Sequence, residues 1–365
     1  MSSISAPGRL GNPEMSLSTD PRVNPKVLQA LKAHNLHESS YLTSDLKPSA
    51  PIDTVCDFIR SNEASLEKLY SRLDYTVPGD PTSSRSISRS ETFIEGPDGN
   101  KLRLITYRPT QCEHATLPAV VYFHGGGMII LSTDSPIHTT WTEALARSRL
   151  VVISVDFRNA LDLTHMNPFP AGLNDCAKAV RWIDENREQL HIDKIILQGE
   201  SGGANLALAV TLKAKREGWL EAIDGVCATA PYISNAYDMP LDWRLRELPS
   251  LVECDGYLIS CSTSALNAKL YDPSGEHVRD PLAWPYWATE DDLSGLPPHL
   301  IITSELDPLR DEGNAYYRKL ARAGVSAVGK VNLGIVHEGE LFLRNVIPNF
   351  FLENLWAIKK FADRL

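Results

Sequence analysis

No two of the six cysteines (Cys56, Cys112, Cys176, Cys227, Cys254 and Cys261) are spaced as a Cys-x-x-Cys pair, and several lie inside apolar runs. Scattered thiols of this kind argue against a zinc ribbon or a disulfide framework and fit a reducing compartment. Lys/Arg runs are also missing, and the formal net charge is −10, which speaks against a nucleic-acid surface. Nowhere does the chain approach the ~18 uninterrupted apolar residues of a membrane span. The first residues, MSSISAPGRLGNPEM, have no apolar segment of the kind a secretory signal requires. No internal repeat is visible. The expectation is a cytoplasmic protein with no membrane span and no nucleic-acid partner, in which nothing calls for a cofactor or metal. Homo-oligomerisation is left open.

What is present is the balance of a soluble globular protein, with 43% apolar and 22% charged residues in 365. Residues 1–21, rich in Ser, Gly and Pro, read as a mobile tail. Over 22–88 the apolar spacing is helical, as in Val27, Leu28 and Leu31, then Val55, Phe58 and Ile59, then Leu66, Leu69 and Tyr70. Two short strand-like runs around Pro97-Asp98-Gly99 predict a hairpin. Strand-like runs follow at Ala119–Phe123, Val151–Val155, Ile195–Leu197, Val226–Ala230 and Leu300–Thr303, with a weaker one at Val328–Leu333. Helical segments such as Asn174–Glu188 and Gly203–Arg216 lie between them. That alternation predicts an α/β fold with a mostly parallel sheet covered on both faces. The stretch 232–287 breaks the rhythm, is rich in Tyr and Trp, and reads as an inserted cap. The core then comprises 89–231 and 288–365.

Gly199-Glu200-Ser201-Gly202-Gly203 matches Gly-x-Ser-x-Gly. The pentapeptide is weak alone, but an apolar strand precedes it and good helix formers follow. That is the setting in which a nucleophilic serine sits on a tight turn above a sheet edge. A serine hydroxyl needs a base within hydrogen-bond reach, and here the expected chain order is Ser, then Asp or Glu, then His. Of the ten histidines only His277, His299 and His337 follow Ser201. His277 lies in the aromatic insertion and His299 opens a strand, whereas His337 follows Val331–Val336 near the end of the chain. For the acid, Asp307 precedes a proline and so suits a loop, with Glu305 and Asp311 as alternatives. His124-Gly125-Gly126-Gly127 directly follows an apolar strand and matches the HGGG loop whose backbone amides receive a developing oxyanion. His124 itself reads as structural, tying the loop down through its ring nitrogens.

With these motifs the chain resembles the hormone-sensitive-lipase-like (type IV) esterases of the α/β-hydrolase fold, from about Glu91 to the C-terminus. The resemblance implies a nucleophile at Ser201, an acid at Asp307 and a base at His337. It implies oxyanion donors at Gly126, Gly127 and Gly202, and a cap combining the N-terminal helices with the insertion. Three departures stand out. Asp156-Phe-Arg-Asn-Ala-Leu-Asp stands where that family often reads DYRLAPE. Glu200 replaces the commoner Asp, a change read as neutral. Glu338-Gly339 follow the base where Gly-Phe is common.

The function expected is hydrolysis of short- to medium-chain carboxylic esters through an acyl-enzyme, with a small-molecule ester as partner. A natural-product ester or lactone enters through the resemblance. An amidase or deacetylase would use the same triad. A ligand-binding receptor on a hydrolase scaffold would be expected to have lost the base.

Overall fold

The computed structural model describes residues 6–37, 45–162 and 165–365. Eight strands form one sheet: β1 (Ile87–Glu95), β2 (Lys101–Pro109), β3 (Leu117–Phe123), β4 (Val151–Asp156), β5 (Ile192–Glu200), β6 (Gly225–Thr229), β7 (His299–Leu306) and β8 (Ala327–Val336). Their order across the sheet is β1-β2-β4-β3-β5-β6-β7-β8. The β1–β2 hairpin and the β2–β4 pair are antiparallel, and every pair from β4 through β3 to β8 is parallel.

Period-two alternation explains why this sheet is buried on both sides. Along β3, Ala119, Val121 and Phe123 join one apolar cluster, whereas Val120 and Tyr122 join the other. In chain order the helices are α1 (Gly8–Gly11), α2 (Pro25–Ala33), α3 (Ile52–Tyr70), α4 (Pro136–Arg147), α5 (Ala171–Glu185), α6 (Gly202–Glu217), α7 (Leu241–Glu247), α8 (Ser250–Glu253), α9 (Cys261–Tyr271), α10 (Glu290–Leu293), α11 (Arg310–Arg322), α12 (Gly339–Phe342) and α13 (Pro348–Ala362). Buried residues of α5 and α6 pack on the first face, and those of α2, α4 and α13 on the second. The chain runs outward from β3 to β4 and then returns to β5 on the other side of β3. Such a reversal leaves a crevice beyond the carboxyl ends of β3 and β5, the usual place for a ligand in an open α/β sheet.

One expectation changes. Residues 6–21, expected to be a mobile tail, are instead anchored to the body, while 1–5 lie outside the described residues. Leu17 is fully buried in the cluster holding Val27 and Leu31. Arg9 donates to the Asp255 carbonyl at 2.8 Å, and the Tyr257 hydroxyl donates to Asp20 at 3.1 Å. Arg22 bridges Asp20 and Glu253, and Arg310 grips Glu253 from the other side at 2.7 Å. These partners are far away in sequence, so local composition carries no trace of them. Most aromatic residues of 232–287 pack on one another. Tyr232 and Tyr237 stack at 4.7 Å, and the buried Trp284 meets Tyr232 and Tyr271 edge-on at 5.5 Å each. They join the apolar cluster on the α5–α6 face of the sheet.

Leu17→Ala is expected to remove about 2–5 kcal/mol where it packs, the usual range for a buried leucine. Limited proteolysis should then cut within residues 6–21 faster, with the sheet still protected. An unchanged cleavage rate there would contradict the anchored arm.

Candidate active site

Ser201 occupies the turn between β5 and α6 with φ 52° and ψ −116°, a strained setting for a residue with a side chain. The turn closes because its neighbours are glycines. A Cβ on Gly203 would stand 1.9 Å from the Phe123 carbonyl oxygen, and one on Gly199 would stand 2.3 Å from the Gly203 backbone. The Ser201 N–H donates to the Thr229 carbonyl at 2.9 Å, which ties the turn to β6.

Asp307 follows β7 and His337 follows β8, so both reach the same end of the sheet as Ser201. His337 Nε2 lies 3.1 Å from Ser201 Oγ, and His337 Nδ1 lies 2.8 Å from Asp307 Oδ2. Asp307 is fully buried and also accepts the Leu309 N–H at 2.8 Å, which leaves its carboxylate little freedom to turn. The other candidates are engaged elsewhere. Glu305 accepts the Gly334 N–H at 2.7 Å and braces β8. Asp311 accepts the Ser250 N–H at 2.7 Å and pairs with Arg310. His299 is buried at the opposite end of β7, where burial drives its pKa down to about 4. His277 sits against Phe169 and Asp280.

The loop after β3 folds over the start of α6. Gly126 and Gly127 adopt φ 104° and 67°, which favours glycine. Gly202 approaches so closely that a Cβ on it would lie 2.6 Å from Gly127 Cα. The N–H groups of Gly126, Gly127 and Gly202 donate to no partner among the described residues. Three unpartnered backbone N–H groups therefore lie close to Ser201. His124 holds this loop by one ring nitrogen, not two. Its Nδ1 donates to the Gly125 carbonyl at 2.7 Å, whereas its buried Nε2 has no hydrogen-bond partner and its ring stacks on Phe157 at 4.3 Å.

A cavity of about 130 Å³ opens over Ser201, His337, Gly126 and Gly127. Its walls come from α3, from 258–267 and from the core, and they are mainly apolar. Three buried acids, Glu200, Glu338 and Glu340, lie near this centre. Glu200 is fully buried, accepts the Tyr122 hydroxyl and the Gly125 N–H, and is pushed up to about 8 by burial and then by the Glu338 charge. Glu340 is pushed up to about 7 by burial. Glu338 faces His337, with Oε1 3.5 Å from Nε2. Its only trace in the sequence was a departure from the familiar residue after the base.

A mostly parallel sheet with a strand–serine–helix elbow at its switch point defines the α/β-hydrolase class. The family described as alpha/beta hydrolase fold matches residues 120–340, and the chain belongs to it. Within that class it is a hormone-sensitive-lipase-like member. The chain is 44% identical, over 98% of each chain and with a TM-score of 0.95, to a solved structure described as brefeldin A esterase, a bacterial homologue of human hormone sensitive lipase. It is similar to esterase Est22 at 34% identity, over 95% of this chain and 99% of that one, with a TM-score of 0.83. It is also 32% identical to esterase LipI of Mycobacterium tuberculosis, over 70% of this chain and 75% of that protein.

Gly203→Ala is expected to prevent stable folding, because a methyl group 1.9 Å from a backbone oxygen cannot be relieved by a side-chain shift. A thermal unfolding midpoint within a few degrees of the parent would contradict the close approach.

Proposed function

We propose that the protein is a serine carboxylesterase acting by acyl transfer, with Ser201 as nucleophile, His337 as base and Asp307 as the acid that orients it. The observation carrying this reading is the unbroken chain from Asp307 through His337 to Ser201, at 2.8 Å and 3.1 Å. His337 takes the Ser201 proton as Oγ attacks the ester carbonyl. Asp307 stabilises the imidazolium, and the N–H groups of Gly126, Gly127 and Gly202 receive the oxyanion. His337 then protonates the leaving alcohol and next draws a proton from water, which releases the acid. Cap segments 22–88 and 232–287 close over a core of 89–231 and 288–365; the mixed origin of the cavity walls supports this division. An apolar cavity of about 130 Å³ suits esters of short to medium chain. Among the described residues no helix is long and apolar enough to cross a membrane.

Ser201→Ala is expected to lower kcat on an aryl ester by roughly 10⁴-fold or more. A fluorophosphonate should label the parent at Ser201 and fail on the variant. Full activity in the variant would overturn the assignment. Matched ester and anilide substrates test the amidase alternative, with the ester expected to be far faster.

The pH profile follows from the charges around His337. Burial, the strongest influence, lowers its pKa, but the charges of Asp307 and then Glu338 act upward and together bring it to about 9. The base works only when neutral, so kcat/KM should climb as pH rises toward that value and fall away below it. Glu338→Gln removes one upward influence and should move the acid limb to lower pH, leaving Asp307 to hold it above the ordinary imidazole range. An acid limb at or below about 6.5 in the parent would contradict this electrostatic picture.

A further inference from the structure

The strand that delivers His337 is irregular just before it ends. Ser304 pairs with Asn332 but Leu306 pairs with Val336, so Leu333, Gly334 and Ile335 stand opposite the single residue Glu305. A bulge bends its strand and re-aims the side chains beyond it, and His337 is the first residue past the end of β8. Gly334, at the centre of the bulge, has φ 70°, and both of its backbone polar groups are taken. Its N–H donates to Glu305 Oε2 at 2.7 Å, and its carbonyl accepts the Asn24 N–H at 3.0 Å. The N-terminal arm comes so close that a Cβ on Gly334 would stand 2.9 Å from the Arg22 carbonyl oxygen. The bulge is thus held by Glu305 through its N–H and by the arm through its carbonyl.

The same residues reach the acid-bearing loop. Glu305 stands two residues before Asp307, and its carbonyl accepts from Arg310 Nη1 at 2.8 Å. Arg310 pairs with the buried Glu253 at 2.7 Å, and Glu253 pairs with Arg22, two residues before Asn24. The contacts close into a ring that runs from Glu305 through Arg310, Glu253, Arg22, Asn24 and Gly334 back to Glu305. Gly8 of α1 covers the Arg22–Glu253 pair, since a Cβ there would meet both side chains at 2.8 Å. Bonds to charged groups are short and directional, so a ring built on them fixes the position of what it encloses. We propose that Glu305 and Asn24 are positioning residues for the base, holding the bulge at Gly334 and so setting where His337 stands between Asp307 and Ser201. Neither residue lines the cavity over Ser201, so they act on the chemistry through His337 and not through substrate binding. This inference rests on the reading of His337 as the base.

The test uses two pairs of variants of the full chain on an aryl ester, well below the unfolding midpoint. Glu305→Leu removes the acceptor for the Gly334 N–H, whereas Glu305→Gln keeps an oxygen that can take its place. Asn24→Pro removes the N–H that holds the Gly334 carbonyl, at a residue whose φ of −62° already suits proline. Asn24→Ala keeps that N–H and loses only the side-chain cap of α2. Glu305→Leu and Asn24→Pro are each expected to lower kcat about tenfold or more, the scale of a misplaced catalytic group. KM should stay within about twofold, and Glu305→Gln and Asn24→Ala should stay near the parent. The downfield proton resonance of His337 Nδ1–H should shift or broaden in the two damaging variants only. A contact that merely stabilised the fold would lower the unfolding midpoint and leave kcat and this resonance alone. Parent-like kcat with an unmoved resonance in Glu305→Leu, or equal losses in Glu305→Leu and Glu305→Gln, overturns the proposal. Equal kcat in Asn24→Pro and Asn24→Ala overturns it as well, and this pair decides if Glu305→Leu does not fold. His337→Ala separates the two readings. Activity retained there would overturn the assignment of the base, whereas its loss beside an unaffected Glu305→Leu confines the failure to this inference.

Discussion

The molecule depends on how closely three pieces of backbone approach at the switch point of the sheet. Gly203, at the start of α6, lies against the last residue of β3, and Gly202 lies under the loop that follows it. That contact sets the height of Ser201 above the sheet and the position of the free amides beside it. Any side chain at these glycines would drive α6 away from β3 and separate Ser201 from those amides. The strain at Ser201 is sustained because β5, β6 and α6 hold the turn from three sides.

Around this point the structure gathers an unusual number of carboxyl groups. Asp307, Glu200, Glu338 and Glu340 are all buried near one imidazole. Burial opposes their charge and their mutual repulsion adds to it, so Glu200, Glu338 and Glu340 are all held above the ordinary carboxyl range. Asp307 differs in its direct bond to His337 Nδ1, which makes it the partner the ring orients on. Glu200 takes a structural part instead, receiving Tyr122 and the Gly125 amide and so bracing the loop from behind.

The segments proposed as a cap join this centre to the rest of the chain. The aromatic residues of 232–287 pack mainly on one another, and the cavity wall mixes leucine and isoleucine with Ser260, Thr263 and Ser264. The N-terminal arm is tied through Arg22, Glu253 and Arg310 to the start of α11, three residues beyond Asp307. Arm, insertion and acid-bearing loop thus share one ion-pair network.

The amino-acid sequence by itself determined the alternation of strand and helix, the elbow at Ser201 and the chain order in which Asp307 and His337 follow. These are legible because they rest on local demands: apolar periodicity, glycine where no Cβ fits, and a loop after each strand. Tertiary structure alone decided three further matters. It separated Asp307 from Glu305 and Asp311, because orientation at a strand end depends on what each carboxylate can bond. It anchored residues 6–21, because Arg9 and Asp20 bond Asp255 and Tyr257 far along the chain and Leu17 is buried. It also turned Glu338 toward His337 Nε2, a matter of one left-handed residue in a loop whose shape is set by everything packed around it.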